Sequence, residues 1–137
     1  FIHYNLRQEV SMKVKVALIV QGIVSGLFGL AFLLMPAQAM GPFHAGREVT
    51  AVFHFLTRGY GIVVLSVVAI CWMGLKITEK YAKRVLAIGI GAWGFFTAVL
   101  FIYGIAVGLI SQAGWIIVGV ELVLAGLFAS TLFRKEP

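Results

Sequence analysis

The sequence predicts an all-α integral membrane protein: a single domain over residues 1–137, built as an up-and-down bundle of four transmembrane helices. The first observation is composition, since the chain is 61% hydrophobic and 12% charged, whereas a soluble domain is about half apolar and a quarter charged. The second is that the apolar residues form runs long enough to cross a bilayer, which takes about 20 residues. The third is that nearly all basic residues fall between alternate runs.

The apolar runs set the predicted helix boundaries. The first helix covers 14–35 and ends before Pro36, because proline cannot continue a helix interior. The stretch from Val85 to Val120 carries no charge, and as one helix it would extend about 54 Å across a hydrocarbon core of about 30 Å. It must therefore break, and a glycine-containing segment near 104–114 is the natural place. The predicted helices are 14–35, 50–75, 81–107 and 112–133.

The first apolar run also has the outline of a signal peptide. Lys13 and Lys15 precede it, and Ala37-Gln38-Ala39 follows it like a cleavage site. The run from Val16 to Met35 exceeds the roughly 7–15 residues of a signal sequence. It is therefore expected to be a retained first helix.

The basic residues predict the orientation of the bundle. Cytoplasmic loops of membrane proteins carry an excess of Lys and Arg. On the four-helix prediction, most of the 11 basic residues lie on one side, which would place both termini in the cytoplasm. The residues on that side are Arg7, Lys13, Lys15, Lys76, Lys80, Lys83, Arg84, Arg134 and Lys135.

Composition also narrows the expected partners. The net charge of +6 arises from short basic clusters between apolar runs, a pattern typical of topology signals and contacts with membrane lipids, not of nucleic-acid binding. The one cysteine, Cys71, cannot form an intrachain disulfide or a thiolate metal site.

Sixteen glycines in a chain of this size indicate close helix contacts, because small residues let transmembrane backbones approach each other. We favour packing within the bundle. Contact with another subunit or a second copy is the alternative, and the motif alone does not separate the two. The glycines singled out are Gly22, Gly26, Gly29, Gly104 and Gly108.

Two charged residues, Arg58 and Glu121, fall inside predicted helices. Each costs about 2.5–3.5 kcal/mol near a helix centre, so such residues normally face the bundle interior and have partners. Both lie roughly 12–14 Å below the outer end of their helix, at 1.5 Å per residue. We therefore predict that they form an ion pair.

Arg58 belongs to a polar stripe on the second helix. Thr50, His54 and Arg58 recur at four-residue spacing along one helix face, and Thr57 flanks them. One interpretation is a satisfied polar network that fixes helix register. The other is an outward-facing pocket or proton path that ends at Arg58 and Glu121, since intramembrane ionisable residues are candidates for function.

No catalytic constellation accompanies these residues. The sequence contains no phosphate-binding loop or nucleophile elbow. His44, Glu48 and His54 match no familiar metal-site spacing. We therefore expect no catalytic residues, no resident metal and no cofactor.

One pattern is similar to a known family. A first helix ends in Leu33-Leu34-Met35-Pro36, the second contains Arg58-Gly59-Tyr60-Gly61, and the last carries Glu121 before Ala125-Gly126-Leu127. Over residues 14–133 this resembles the DoxX-like small four-helix membrane proteins of bacteria. Many members of these families have no assigned activity. The name-giving member looks like a subunit of a membrane quinone oxidoreductase, so the resemblance implies a bacterial cytoplasmic membrane and an accessory role beside a redox enzyme.

Two functions follow as hypotheses. The first is a non-catalytic accessory or structural subunit of a larger membrane complex, with other membrane subunits or further copies of the chain as partners. The second is a conduit or binder for a small ligand, a quinone or protons, which uses the polar stripe at Arg58 and Glu121. An enzyme with its own activity is the least favoured hypothesis, because the catalytic residues are lacking.

Overall fold

The computed structural model describes residues 2–46, 48 and 50–132, with side chains from Met12 onward. Four of its helices are long and apolar enough to cross a membrane. This confirms the predicted class, an all-α membrane bundle of four helices, and the four spans begin and end within three residues of the predicted bounds. The elements are α1 (Ile2–Leu34), α2 (Pro36–Met40), a 3-10 turn (Gly41–Phe43), α3 (Ala51–Leu75), α4 (Lys80–Ala106) and α5 (Gly114–Leu132).

The helix ends follow from local chemistry. Pro36 is the first residue of α2, where its missing N–H is not needed, and α1 stops before it. Thr50 caps α3 by accepting a hydrogen bond from the Phe53 amide at 3.2 Å. Gly108 follows α4 with a φ of 69°, a left-handed conformation that glycine adopts without steric cost.

The four spans associate as two pairs. Helix α1 packs along α3, and α4 packs along α5. The pairs then meet through smaller contacts of α1 with α5 and of α3 with α4. Helices α3 and α5 therefore occupy opposite corners of the bundle.

Glycine controls the closest approaches within each pair. A Cβ at Gly61 of α3 would lie 2.9 Å from both the Gly29 carbonyl oxygen and the Leu33 nitrogen of α1. Along the same interface, Gly22 and Gly26 lie opposite Cys71 and Val68. The structure therefore places three of the five glycines that the sequence singled out at one interface, between α1 and α3.

The remaining two glycines have other roles than the predicted helix packing. Gly104 is buried, but a Cβ there would meet Ile110, a residue of the turn that follows α4. Gly108 has open space around it, and it lies in that turn with a positive φ. The Gly104-x-x-x-Gly108 spacing therefore reflects how α4 ends.

The core contains a contribution from every span. One buried cluster joins Ala17 and Leu18 of α1, Cys71 of α3, Ile90 of α4 and Phe128 of α5. A second cluster lies between α4 and α5. Large apolar side chains also cover the outside, and Phe55 and Val123 are 76% and 71% exposed. A soluble monomer rarely exposes apolar surface on this scale, whereas lipid tolerates it.

The segment between α1 and α3 docks onto the turn between α4 and α5. The Ser111 amide donates to the Phe43 carbonyl at 2.9 Å, and the Ser111 hydroxyl donates to the Pro42 carbonyl at 2.6 Å. His44 also forms an isolated antiparallel bridge with Ile110. This set of contacts, termed the loop clasp, joins the two helix pairs at one end of the bundle.

Candidate functional site

A small group of polar side chains lies inside the bundle, and each span supplies one member. They are Ser25 of α1, Tyr60 of α3, Thr97 of α4 and Glu121 of α5, termed the central polar cluster. Ser25, Tyr60 and Glu121 line a cavity of about 20 Å³. The rest of its wall is apolar and includes Phe32 and Trp93.

Glu121 is the charged member of the cluster. Its side chain lies over Gly94, where a Cβ would be 3.0 Å from Oε2. Oε2 is buried and has no hydrogen-bond partner among the described residues. The absence of a side chain on Gly94 thus makes room for the carboxyl group of Glu121, whose Oε2 meets no donor among the described residues.

Tyr60 is fixed by aromatic neighbours on two helices. Its ring centroid lies 5.7 Å from that of Phe32 on α1 and 6.4 Å from that of Trp93 on α4, with the Trp93 ring nearly parallel. Its phenol group lies within the electrostatic influence of Glu121 and within reach of the Thr97 side chain. The hydroxyl is therefore held beside the carboxyl group of Glu121.

Gln21 and Ser25 add polar atoms on α1. The Gln21 Nε2 donates to the Ser25 hydroxyl at 2.9 Å, and both side chains are buried. They lie one helical turn apart, so this bond stays within α1. It presents the Ser25 oxygen to the cavity.

The prediction that Arg58 and Glu121 form an ion pair is wrong. Both residues lie in the described ranges, and they do not pair. Arg58 is exposed, and Oε2 of Glu121 has no hydrogen-bond partner. The residue before Arg58, Thr57, is buried, and consecutive helix residues differ in direction by about 100°. Equal depth therefore did not bring the two side chains together, because α3 and α5 lie at opposite corners and Arg58 points away from the core.

The remaining stripe residues serve the local structure of α3. Thr50 is its cap, and the Thr57 hydroxyl donates to the Phe53 carbonyl at 2.9 Å. His54 is half-buried. These three side chains do not line the central cavity.

A second histidine, His44, lies in the segment between α1 and α3 and packs on Phe53, with ring centroids 4.8 Å apart. Its Nε2 is buried and has no hydrogen-bond partner among the described residues. No group of three His, Cys, Asp or Glu side chains in the described ranges could hold a metal ion.

Cavity volume limits what the cluster can bind. A site needs about 10–15 Å³ for one water molecule, so a cavity of about 20 Å³ accommodates one water and no organic ligand. A water there would have the Glu121 carboxyl group and the Tyr60 and Ser25 hydroxyls as neighbours. The cluster has the chemistry to hold a proton and one water.

Most of this cluster is not predicted by the sequence. Tyr60 was noted only within a motif, and Thr97 was not noted at all. A signal was present, because Thr57, Tyr60, Gly61 and Val64 recur at helical spacing and so share one face of α3. A polar residue on that face was a candidate for the interior, but the spacing does not say which helix it meets.

Comparisons with known proteins found no relative of this chain. No family model, no curated protein and no solved structure matches it.

Proposed function

We propose that this protein is a non-catalytic accessory subunit of a larger membrane complex, in a bacterial cytoplasmic membrane with both termini in the cytoplasm. The observation that carries the proposal is the closed interior. The central polar cluster leaves about 20 Å³, whereas ligand pockets measure about 300–1,000 Å³. A quinone or another organic substrate does not fit there, so the protein acts through its surface.

The outer face of α5 supports association within the membrane. Gly119, Gly126 and Ser130 are exposed along it. A Cβ at Gly119 or Gly126 would have no neighbour within 4 Å, so neither glycine is needed for packing inside the bundle. Small residues at such positions let a second transmembrane helix approach closely.

The resemblance to DoxX-like proteins supports the same proposal and suggests a redox complex as the setting. The Arg58-Gly59-Tyr60-Gly61 segment divides between two surfaces. Tyr60 and Gly61 face the interior, while Arg58 and Gly59 are exposed. The exposed half of this motif is then available to a partner subunit.

Extraction in mild detergent tests the proposal. We expect larger subunits to co-purify in fixed stoichiometry, as identified by mass spectrometry. Gly126→Leu should remove them without lowering the thermal stability of the chain. Gly89→Leu is the matched control, since Gly89 is equally exposed and unobstructed but lies on α4. A chain that purifies alone, or equal losses in both variants, would contradict the proposal.

A second candidate function is proton binding at the central polar cluster, and the unpartnered Oε2 of Glu121 favours it. A carboxyl group with a fixed cation beside it would be held in its charged form. Oε2 of Glu121 has no hydrogen-bond partner among the described residues, and the adjoining cavity accommodates one water, so Glu121 can take up and release a proton there. Intramembrane carboxyl groups commonly serve in proton relays.

Infrared difference spectroscopy during a pH titration tests this candidate. We expect a carboxylic-acid C=O band that titrates, is absent in Glu121→Gln and shifts in Tyr60→Phe. Glu79→Gln is the control, since Glu79 is exposed in the loop between α3 and α4. A band that is unchanged in Glu121→Gln would exclude proton binding at this carboxyl group.

A further inference from the structure

A cavity much larger than the central one lies on the outside of the bundle, between α1 and α3. It has a volume of about 310 Å³, and its lining residues are all apolar. Gly22 and Gly26 lie along α1 at this groove, and Cys71 and Trp72 lie on α3. The groove exists because the two glycines present no side chain between the exposed residues Ile23 and Trp72.

The length of the groove along the helices matches the thickness of the hydrocarbon region of one lipid leaflet. It follows α1 from Leu18 to Leu27, which at 1.5 Å per residue is about 13–14 Å. That is roughly half of the 30 Å hydrocarbon core of a bilayer. A single acyl chain that enters from one membrane surface would end where the groove ends.

Each of the two helices carries a lysine just beyond the residues that line the groove. Lys15 lies four residues before Ile19 on α1, and Lys76 lies four residues after Trp72 at the end of α3. Residues four apart share a helix face, so each lysine continues a face that lines the groove. Both lysines are exposed.

Further positive charge surrounds the mouth. Lys83 of α4 is close enough to Lys15 for their charges to repel each other. Lys13, Lys80 and Arg84 are further bases at this end with described side chains, and the acids of the described ranges there are Glu9 and Glu79. An anion at the mouth would relieve the repulsion between lysines that come from separate helices.

We propose that this groove binds one anionic phospholipid, with an acyl chain between α1 and α3 and the headgroup phosphate at Lys15 and Lys76. Basic clusters at membrane-facing helix ends are suited to anionic headgroups. The apolar groove explains why a lipid would be retained there, and the lysines explain why it would be an anionic one.

Native mass spectrometry of delipidated protein tests the proposal with two defined lipids, phosphatidylglycerol and phosphatidylcholine. We expect one saturable phosphatidylglycerol per chain and at least tenfold weaker binding of phosphatidylcholine. A lysine near an anionic headgroup contributes enough that removing it weakens binding about fivefold. Lys15→Gln and Lys76→Gln should each show that loss, whereas Arg58→Gln, which removes an exposed charge of α3 far from Lys76, should not.

A second pair of variants tests the groove itself. A Cβ at Gly26 would be 3.9 Å from Val68, an ordinary contact, so Gly26→Leu should fold and fill the groove with its outer atoms. We expect it to abolish the saturable site, while Gly126→Leu on the open face of α5 retains it. Equal binding of both lipids, an equal effect of Arg58→Gln, or full binding by Gly26→Leu would overturn the proposal. The proposal would also be overturned if glycerol phosphate competed as effectively as the whole lipid, because the acyl chain would then contribute nothing to binding.

Discussion

Glu121 lies where a carboxyl group is costly, on a membrane span and against the backbone of Gly94. Its neighbours are the Tyr60 phenol and a cavity that accommodates one water. Arg58, by contrast, is exposed seven residues after the start of α3, and its long side chain can carry its charge toward the membrane surface. The two charges are therefore accommodated separately.

This separation gives a prediction for thermal unfolding in detergent. Arg58→Gln should change the free energy of unfolding by no more than about 0.5 kcal/mol, as expected of a surface substitution. Glu121→Gln should not lower the melting temperature, since it removes a carboxyl group whose Oε2 has no partner. In the double variant the two effects should add to within about 0.5 kcal/mol. A coupling well above that value would mean that the two residues do form an ion pair.

The close crossing of α1 and α3 depends on the lack of a side chain at Gly61. The Gly29 carbonyl oxygen and the Leu33 nitrogen are both backbone atoms, so they cannot turn aside for an added methyl group. Gly59, two residues earlier on the same helix, is exposed with open space around it. An added methyl group would therefore clash with α1 at Gly61, whereas at Gly59 it would meet no other atom within 4 Å.

Alanine substitution at these two positions is expected to have opposite effects. Gly61→Ala should destabilise the bundle by about 1–3 kcal/mol, because it overpacks a helix interface. Gly59→Ala should be neutral or slightly stabilising, because alanine is the better helix former. Thermal melts in one detergent compare the two directly. Equal melting temperatures for both variants would show that the helices do not cross at Gly29 and Gly61.

At the scale of the whole molecule, the two helix pairs are joined more weakly than the helices within each pair. The loop clasp strengthens the junction at one end, where Ser111 donates to both Pro42 and Phe43. The core cluster that includes Cys71 and Phe128 joins all four spans elsewhere in the bundle.

Removing one clasp bond should loosen the segment it holds. Ser111→Ala loses the hydrogen bond to the Pro42 carbonyl, worth about 1 kcal/mol, so local opening should rise about fivefold. Limited proteolysis of residues 36–46 in proteoliposomes measures this opening. Ser66→Ala is the control, because the Ser66 hydroxyl bonds only to Ile62 within its own helix. Equal cleavage rates in the two variants would show that the clasp does not hold the segment.

The sequence by itself determined the number of spans and nearly where each begins and ends. The reason is the solvent: a backbone in lipid must satisfy its own hydrogen bonds, so each apolar run of sufficient length becomes a helix. It also determined that Arg58 and Glu121 lie at similar depth, since rise per residue is fixed.

Only the tertiary structure decided which helices are neighbours and which way each side chain points. Pairing α1 with α3 and α4 with α5 placed Arg58 outside the bundle and Tyr60 beside Glu121. It also placed Gly61, which the sequence analysis named only within the Arg58-Gly59-Tyr60-Gly61 motif, directly against the backbone of α1. The depth of a residue along a helix follows from its residue number alone. The rotation of the helix about its axis and the identity of its neighbouring helices depend on packing contacts between residues far apart in the chain.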